Sequence, residues 1–184
     1  MRKKLRDLIK VEHGFAFDSS KYVEKGKYRL VTLVNFDEGN NKFALKDDKA
    51  KYTNEKPDQR FFLNENDLIL PLTEQVVGLF GNTAFVPESK EFKFVLNQRV
   101  GKISYISEYL DKNYLHYLLA TKSVKIQLEN RASGTKQRNI SPDDIYDVVV
   151  DIPEKEKQIK IGLLLRNIEK KIELNNRIND NLCY

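Results

Sequence analysis

The sequence predicts an α+β protein, with a mixed α/β domain over residues 1–152 and a long, coiled-coil-forming C-terminal helix over residues 153–184. Three observations carry this. Short runs rich in β-branched and aromatic residues alternate with long polar connections through the first 150 positions. Helical periodicity takes over between residues 111 and 130. At Pro153 the character changes to a stretch with no further proline and a single glycine, whose apolar residues recur at spacings of four and three.

The strands follow from composition. "YRLVTLV" (28–34), "DLILPL" (67–72), "FKFVL" (92–96) and "VGKISYI" (100–106) are each expected to be strands. Between the first two lies a polar connection from Asp37 to Arg60, containing "EGNNK" and "KDDKAKYTNEKPDQR"; loops of that length are functional or mobile. Residues 111–130 are expected to be helical, with Tyr114, Leu115, Leu118 and Leu119 on one face. "SPDD" (141–144) starts a helix, with Ser141 as N-cap, Pro142 in the first helical position and acids in the first turn. "YDVVVDI" (146–152) is a last strand, ended by Pro153. Glu154 to Leu182 as one helix would span about 43 Å at 1.5 Å per residue. Its seam is Ile161, Leu165, Ile168, Ile172, Asn175, Asn179 and Leu182, broadened by Leu164 and Ile178. Such a stripe needs a partner helix, and Asn175 and Asn179 would set register at some cost in stability. The alternative is that the helix folds back on its own domain.

Composition bounds the function. Of 184 residues, 40% are hydrophobic, enough for a real core. A net charge of +5 and a pI near 9.1 permit a polyanionic partner without demanding one, because 27 acids are mixed through the chain. Cys183 is the only cysteine, so no intrachain disulfide can form and a reducing, cytoplasmic setting is the expectation. "MRKKLRDLIK" leads into no apolar run and no stretch has the length of a membrane span. No membrane partner is expected.

A search for catalysis finds little. His116, within "YLHYLLA", reads as a half-buried structural residue, and His13, before Gly14, as a surface or turn residue. One cysteine and two separated histidines give no zinc spacing, and no phosphate-binding glycine loop or nucleophile elbow occurs. The reading is therefore no catalytic residue, no metal and no cofactor. The nearest alternative is a Mg²⁺-dependent nuclease, with Pro57-Asp58 followed by Glu88-Ser89-Lys90 and Glu91-Phe92-Lys93. Glu and Lys are abundant here, however, and Asp58 lies inside a polar loop.

One basic stretch stands out. Around "RASGTKQRNIS" (131–141), Lys122, Lys125, Arg131, Lys136 and Arg138 outnumber the single acid Glu129. Gly134, between Ser133 and Thr135, permits a tight turn whose N–H groups can face an anion. Gln137, Arg138 and Asn139 suit bidentate contacts with base edges. A solvated surface turn explains the same residues, as it does "KDDKAK".

The order of motifs adds to this. "GFAFDSSKY" (14–22), "NDLILPLTE" (66–74) with "GLFGNTAFVP" (78–87), "LNQRVGKI" (96–103), "NRASGTKQRNIS" (130–141) and "VVDIPEKEKQIKIGLLLRNIEKKIELNNRINDNL" (149–182) resemble, in order, five segments of type I restriction–modification DNA specificity subunits. Lys157 beside Gln158, where that family usually has Glu-Gln, is a minor departure. The resemblance implies a target recognition domain that reads one part of a split site in double-stranded DNA, joined to a spacer helix. It also implies methyltransferase and restriction subunits as partners, and no catalysis within the chain. Relative to the family pattern this sequence is half-length, with one recognition domain and one helix. Two copies are expected to pair through Ile161, Leu165, Ile168, Ile172 and Leu182, which would make the target a gapped palindrome. Pairing with a different half-subunit, an inert fragment, and a non-catalytic module binding RNA or protein are the alternatives.

Phe15, Phe17 and Tyr22 read as core, whereas Asn97, Gln98 and Arg99 are either DNA-facing or braces. The DNA candidates are Arg131, Ser133, Gly134, Thr135, Lys136, Gln137, Arg138 and Asn139. Next comes the Asn40–Lys51 loop, with Asn41, Lys42, Lys49 and Lys51, then Thr73 to Val76, with Thr73 and Gln75, and finally Arg99.

Overall fold

A computed structural model describes residues 1–37 and 41–182. Asn40 and Cys183, named above, lie outside the described residues. The strands are β1 (Arg2–Lys4), β2 (Ile9–His13), β3 (Tyr28–Val31), β4 (Tyr52–Thr53), β5 (Leu68–Pro71), β6 (Thr73–Glu74), β7 (Ala84–Phe85), β8 (Lys93–Leu96), β9 (Val100–Ile106), β10 (Arg138–Asn139) and β11 (Val149–Asp151). The helices are α1 (Lys112–Leu119), α2 (Lys122–Glu129), α3 (Pro142–Tyr146) and α4 (Lys155–Leu182). Among the described residues no helix is long and apolar enough to cross a membrane.

Two sheets form the body. One has the order β2-β9-β5-β7, the other β4-β3-β8 with β3 and β8 parallel. β5 explains why its sequence is apolar at every position. Leu68 and Leu70 enter a large cluster with Phe80, Leu115 and Leu128, whereas Ile69 enters a second cluster with Val31, Phe94 and Val100. A strand buried on both faces has no polar side to alternate with.

Two smaller antiparallel pairs, β1 with β11 and β6 with β10, bring distant parts of the chain together. Beside the first, Asp147 ties Lys4 at 2.9 Å and Arg6 at 2.7 Å. These hydrogen bonds from both bases hold the Asp147 carboxyl below its ordinary range. The expected helix over 111–130 is divided into α1 and α2. Thr121 adopts extended backbone and its hydroxyl donates to the Leu118 carbonyl at 2.7 Å, which ends the first helix. The turn lets Leu118 and Leu119 and then Val124 and Leu128 face the same core. Ser141 caps α3 with Asp144 in a reciprocal capping box.

α4 runs 28 residues, about 42 Å at 1.5 Å per residue. Its start is locked by Gln158, which is fully buried: Oε1 accepts from Asp111 N at 2.9 Å, and Nε2 donates to the carbonyls of Tyr109 at 2.9 Å and Pro153 at 2.8 Å. One turn on, a Cβ at Gly162 would stand 2.9 Å from Tyr114 N, so only glycine permits this approach of α4 to α1. Farther along, Tyr117 donates to Glu169 at 3.1 Å, and burial, then this carboxylate, pushes the phenol pKa up. The helix thus docks on its own domain, but through a face other than the coiled-coil seam. Leu164, Ile168, Ile172, Ile178 and Leu182 remain exposed, and Asn175 and Asn179 lie along the same exposed stretch. Ile161 and Leu165 are half-buried at its edge.

Candidate nucleic-acid interface

The β6–β10 ribbon organises the basic stretch. Arg138 pairs with Glu74 and Asn139 with Thr73 in register, and Ile140 N donates to Leu72 O at 3.0 Å. Just before β10 the chain closes on itself. Ser133 and Asn139 exchange two backbone hydrogen bonds of 2.9 and 2.8 Å, leaving residues 134–138 as a tight protruding loop. Gly134 makes the loop possible, because its φ is +106° and a Cβ there would come within 2.2 Å of the Gln137 carbonyl. Ser133, Gly134, Thr135 and Lys136 are exposed at the tip, Gln137 is half-buried, and Asn139 is exposed on the ribbon.

The two arginines of the stretch are engaged inside the protein. Arg131 donates to Gln127 O at 2.8 Å and Asp147 O at 3.3 Å. Arg138 donates to Glu129 O at 2.6 Å, so both guanidiniums complement the negative C-terminal end of α2. Arg138 also lies 5.8 Å from the Phe80 ring centre and pairs with Glu74, Nη1 to Oε1 at 3.1 Å. That last contact is an ion pair off the hydrogen-bonding line. For either arginine to read a base, it would have to leave these partners. Lys125 is turned inward too, donating to Gly78 O at 2.9 Å and Asn82 Oδ1 at 2.6 Å, and burial lowers its pKa.

Glu74, inside the Thr73–Val76 segment expected to contact DNA, instead faces inward, a role the sequence reading did not give it. It is 1% exposed, and its other oxygen accepts from Leu79 N at 2.9 Å and Phe80 N at 3.2 Å. It therefore closes the loop after β6 and anchors Arg138. Its only sequence signal is an acid at the end of an apolar run. Thr73 is 4% exposed and donates to Asn139 Oδ1 at 2.9 Å, so it braces the ribbon from inside. Gln75, the next residue after Glu74, is exposed together with Val76 and Val77.

A cleft of about 350 Å³ lies under this loop, lined by Gln75 to Leu79, by Leu33, Val34 and Phe36, and by Lys46 and Lys49. The structure thus joins Lys49 and Gln75, candidates distant in sequence. Arg99 is exposed near the ribbon's root, its carbonyl accepting from Leu72 N at 2.9 Å. Asn97 is buried and braces this turn, its Oδ1 accepting from Arg99 N at 3.3 Å. Gln98 is exposed, and Phe15 bridges to Asn97. Phe17 and Tyr22 pack on a small core with Leu30 and Val95, whereas Phe15 is 48% exposed.

Asn41 and Lys42 take a different position from the other candidates. Asn41, at φ +50°, accepts from Thr83 N and donates to the ring Nε2 and the carbonyl of His116, each at 3.3 Å. His116 Nδ1 stands 2.6 Å from Thr83 Oγ1. These partners suit a neutral imidazole with its proton on Nδ1. Burial, aided by the Arg166 charge, pushes this histidine down to about 4. Lys42 reaches Glu169 of α4 at 3.9 Å. Both residues therefore fasten the loop to α1 and α4 instead of joining the ribbon. Lys51 is exposed at the entry to β4, and its carbonyl accepts from Leu30 N at 2.8 Å. Of the nuclease candidates, Asp58 caps a short turn by accepting from Arg60 N at 3.0 Å. Among the described residues no three His, Cys, Asp or Glu side chains gather as a metal site.

The comparisons with known proteins point one way. A family profile described as the type I restriction modification DNA specificity domain matches residues 1–183. The type I restriction enzyme MjaVIII specificity subunit of Methanocaldococcus jannaschii is 27% identical over 174 residues, covering 93% of this chain and 40% of that protein. Two crystal structures share the fold. The type I restriction–modification S subunit from M. genitalium has a TM-score of 0.58 at 17% identity, covering 98% of this chain and 44% of that one. The HsdS subunit from Thermoanaerobacter tengcongensis has a TM-score of 0.59 at 14% identity, covering 97% and 39%. The chain therefore spans roughly two fifths of the length of the relatives it matches.

Proposed function

The chain belongs to the family of type I restriction–modification DNA specificity domains, and from that premise we propose that residues 1–152 recognise one half of a gapped site in double-stranded DNA while residues 153–184 serve as a spacer helix. The observation that carries this reading is the family match along residues 1–183. The exposed loop Ser133–Gln137 and the tip at Gln75 support it: both hang on one short ribbon that a buried ion pair and the α2 C-terminus hold still. A two-stranded ribbon is among the elements that the major groove admits. Lys136 and Lys49 contact phosphates and Gln75, Gln137 and Asn139 approach base edges. The chain supplies recognition and no catalysis. Methyltransferase subunits dock on it, with a restriction subunit added to that complex, and the protein works in the cytoplasm.

The second half of the proposal is pairing. The seam Ile161, Leu165, Ile168, Ile172, Asn175, Asn179 and Leu182 has the 4-3 spacing of a helix–helix contact, and from Ile168 onward it is exposed, flanked by the exposed Leu164 and Ile178. Two copies joined through it present two identical recognition domains, and the target becomes a gapped palindrome. Mapping adenine methylation across the genome with and without this gene tests the reading. The expected result is one gapped motif that loses its methylation; an unchanged pattern would refute it.

A further inference from the structure

The tip after β6 is built for more than charge. Val76 and Val77 are 65% and 68% exposed, although the loop bearing them is fastened at both ends. Glu74 holds its start and, through Leu79 N and Phe80 N, its end. Two adjacent β-branched side chains, stiff about χ1, are thus held out into solvent beside the amide of Gln75. The same cleft is lined by further apolar side chains, Leu33, Val34 and Phe36. Lys46 and Lys49 stand at the same cleft; Asp47 and Asp48, between them in sequence, are not part of its lining, and Asp47 is drawn off to Arg29 at 2.6 Å. An apolar slot with two valines and an amide in its lining and two cations beside it is complementary to one feature of duplex DNA. In the major groove an A·T pair offers a C5-methyl group on thymine, a donor and acceptor on adenine that a Gln amide can bridge, and flanking phosphates.

We propose that Gln75, Val76 and Val77 form an A·T-reading element, in which the valine side chains receive a thymine methyl and the Gln75 amide contacts the adenine. This rests on the DNA-recognition reading above and names what one part of that surface selects. The half-site must then contain at least one A·T pair whose thymine methyl matters.

The test begins from a half-site defined by selection from a random duplex pool. Each thymine is then replaced in turn by deoxyuridine, which removes only the methyl group, and binding of the full chain is followed by fluorescence anisotropy. Loss of one buried methyl is expected to weaken binding about fourfold at one or two positions. In the Val76→Ser, Val77→Ser protein, binding to the thymine duplex drops to the level of the uracil duplex and the difference between them disappears. Both valines are exposed, so the fold is expected to survive, which circular dichroism checks. A half-site of G·C pairs alone, indifference of the unmodified protein to every uracil, or an unchanged thymine–uracil difference in the variant overturns the proposal while leaving DNA recognition intact. No sequence-preferring duplex at all overturns the recognition reading together with it.

Discussion

Arg138→Ala separates a brace from a base reader. The Arg138 side chain is 21% exposed, pairs with the Glu74 side chain, which is 1% exposed, and donates to Glu129 O at 2.6 Å. Removing one partner of a buried pair costs about 3–5 kcal/mol, because the other charge is left without compensation. A charged hydrogen bond to a carbonyl adds about 1.5–3 kcal/mol. The terms overlap, since one side chain makes both contacts, and residual exposure at Arg138 weakens the first. A total of about 3 kcal/mol is the working figure. For a chain of this size that lowers the melting temperature by about 6–12 °C. Thermal unfolding by circular dichroism reads this directly. In DNA binding, a loosened ribbon weakens all half-site variants together. The contrary result is specific: an unchanged melting temperature with relaxed preference at a single base pair would mean that Arg138 leaves Glu74 and reads a base. Glu74→Gln supplies the control, since it keeps an acceptor for Leu79 N and Phe80 N while removing the charge that Arg138 pairs with.

Other consequences follow from single contacts. His116 titrates at about 4 in the fold against 6.5 unfolded, so the unfolded chain binds the extra proton between these values. Its contribution is present above pH 6.5, falls as the pH drops toward 4, and amounts to about 2 kcal/mol lost at pH 5. Denaturant titrations at pH 7 and pH 5 should show this loss, and His116→Gln should remove it; an equal loss in the variant would assign the effect elsewhere. Ile168→Asp with Ile172→Asp, both at exposed positions, should abolish self-association in sedimentation without lowering the melting temperature of the domain. Lys136→Ala should reduce the slope of binding against salt by about one unit and leave the sequence preference unchanged. A changed preference would make Lys136 a base reader.

The fold was legible where burial is two-sided or the period is strict. β5, β8 and β9 lie where apolar runs put them, and α4 runs over the stretch where the period of four and three puts it. β1 was not, because Arg2–Lys4 is a charged edge strand that pairs with residues about 150 positions away and has no apolar pattern of its own. The break between α1 and α2 was hidden for a similar reason. Nothing in "LATKSVK" forbids a helix; the turn is needed only because both halves must face one core. The sequence marked the basic stretch of residues 131–139 but neither the inward roles of its arginines nor the place of Asn41 and Lys42 beside His116 and Glu169. The sequence displays charge, but charge alone does not say whether an arginine faces outward or caps a helix end.

That distinction orders the candidates physically. Arg131, Arg138 and Lys125 have long side chains that lie over α2 or the turn beside it, where carbonyls at a helix end and a buried Glu74 attract cations. Lys136 sits at the tip of a loop that Gly134 turns outward, with no comparable acceptor in reach among the described contacts. The inward cations stiffen the ribbon, and the stiff ribbon holds the outward residues at fixed spacing, from Gln75 on one strand's exit to Lys136 before the other's entry. Recognition needs that rigidity, because a loop ordered only on contact gives up binding energy to its own ordering. The same logic extends to α4. Asn41, Lys42 and His116 fasten the long polar loop to α1 and α4, while the other end of that loop carries Lys46 and Lys49 to the cleft. The segment that frames the proposed reading surface is therefore tied to α4, the helix proposed to join it to a second copy.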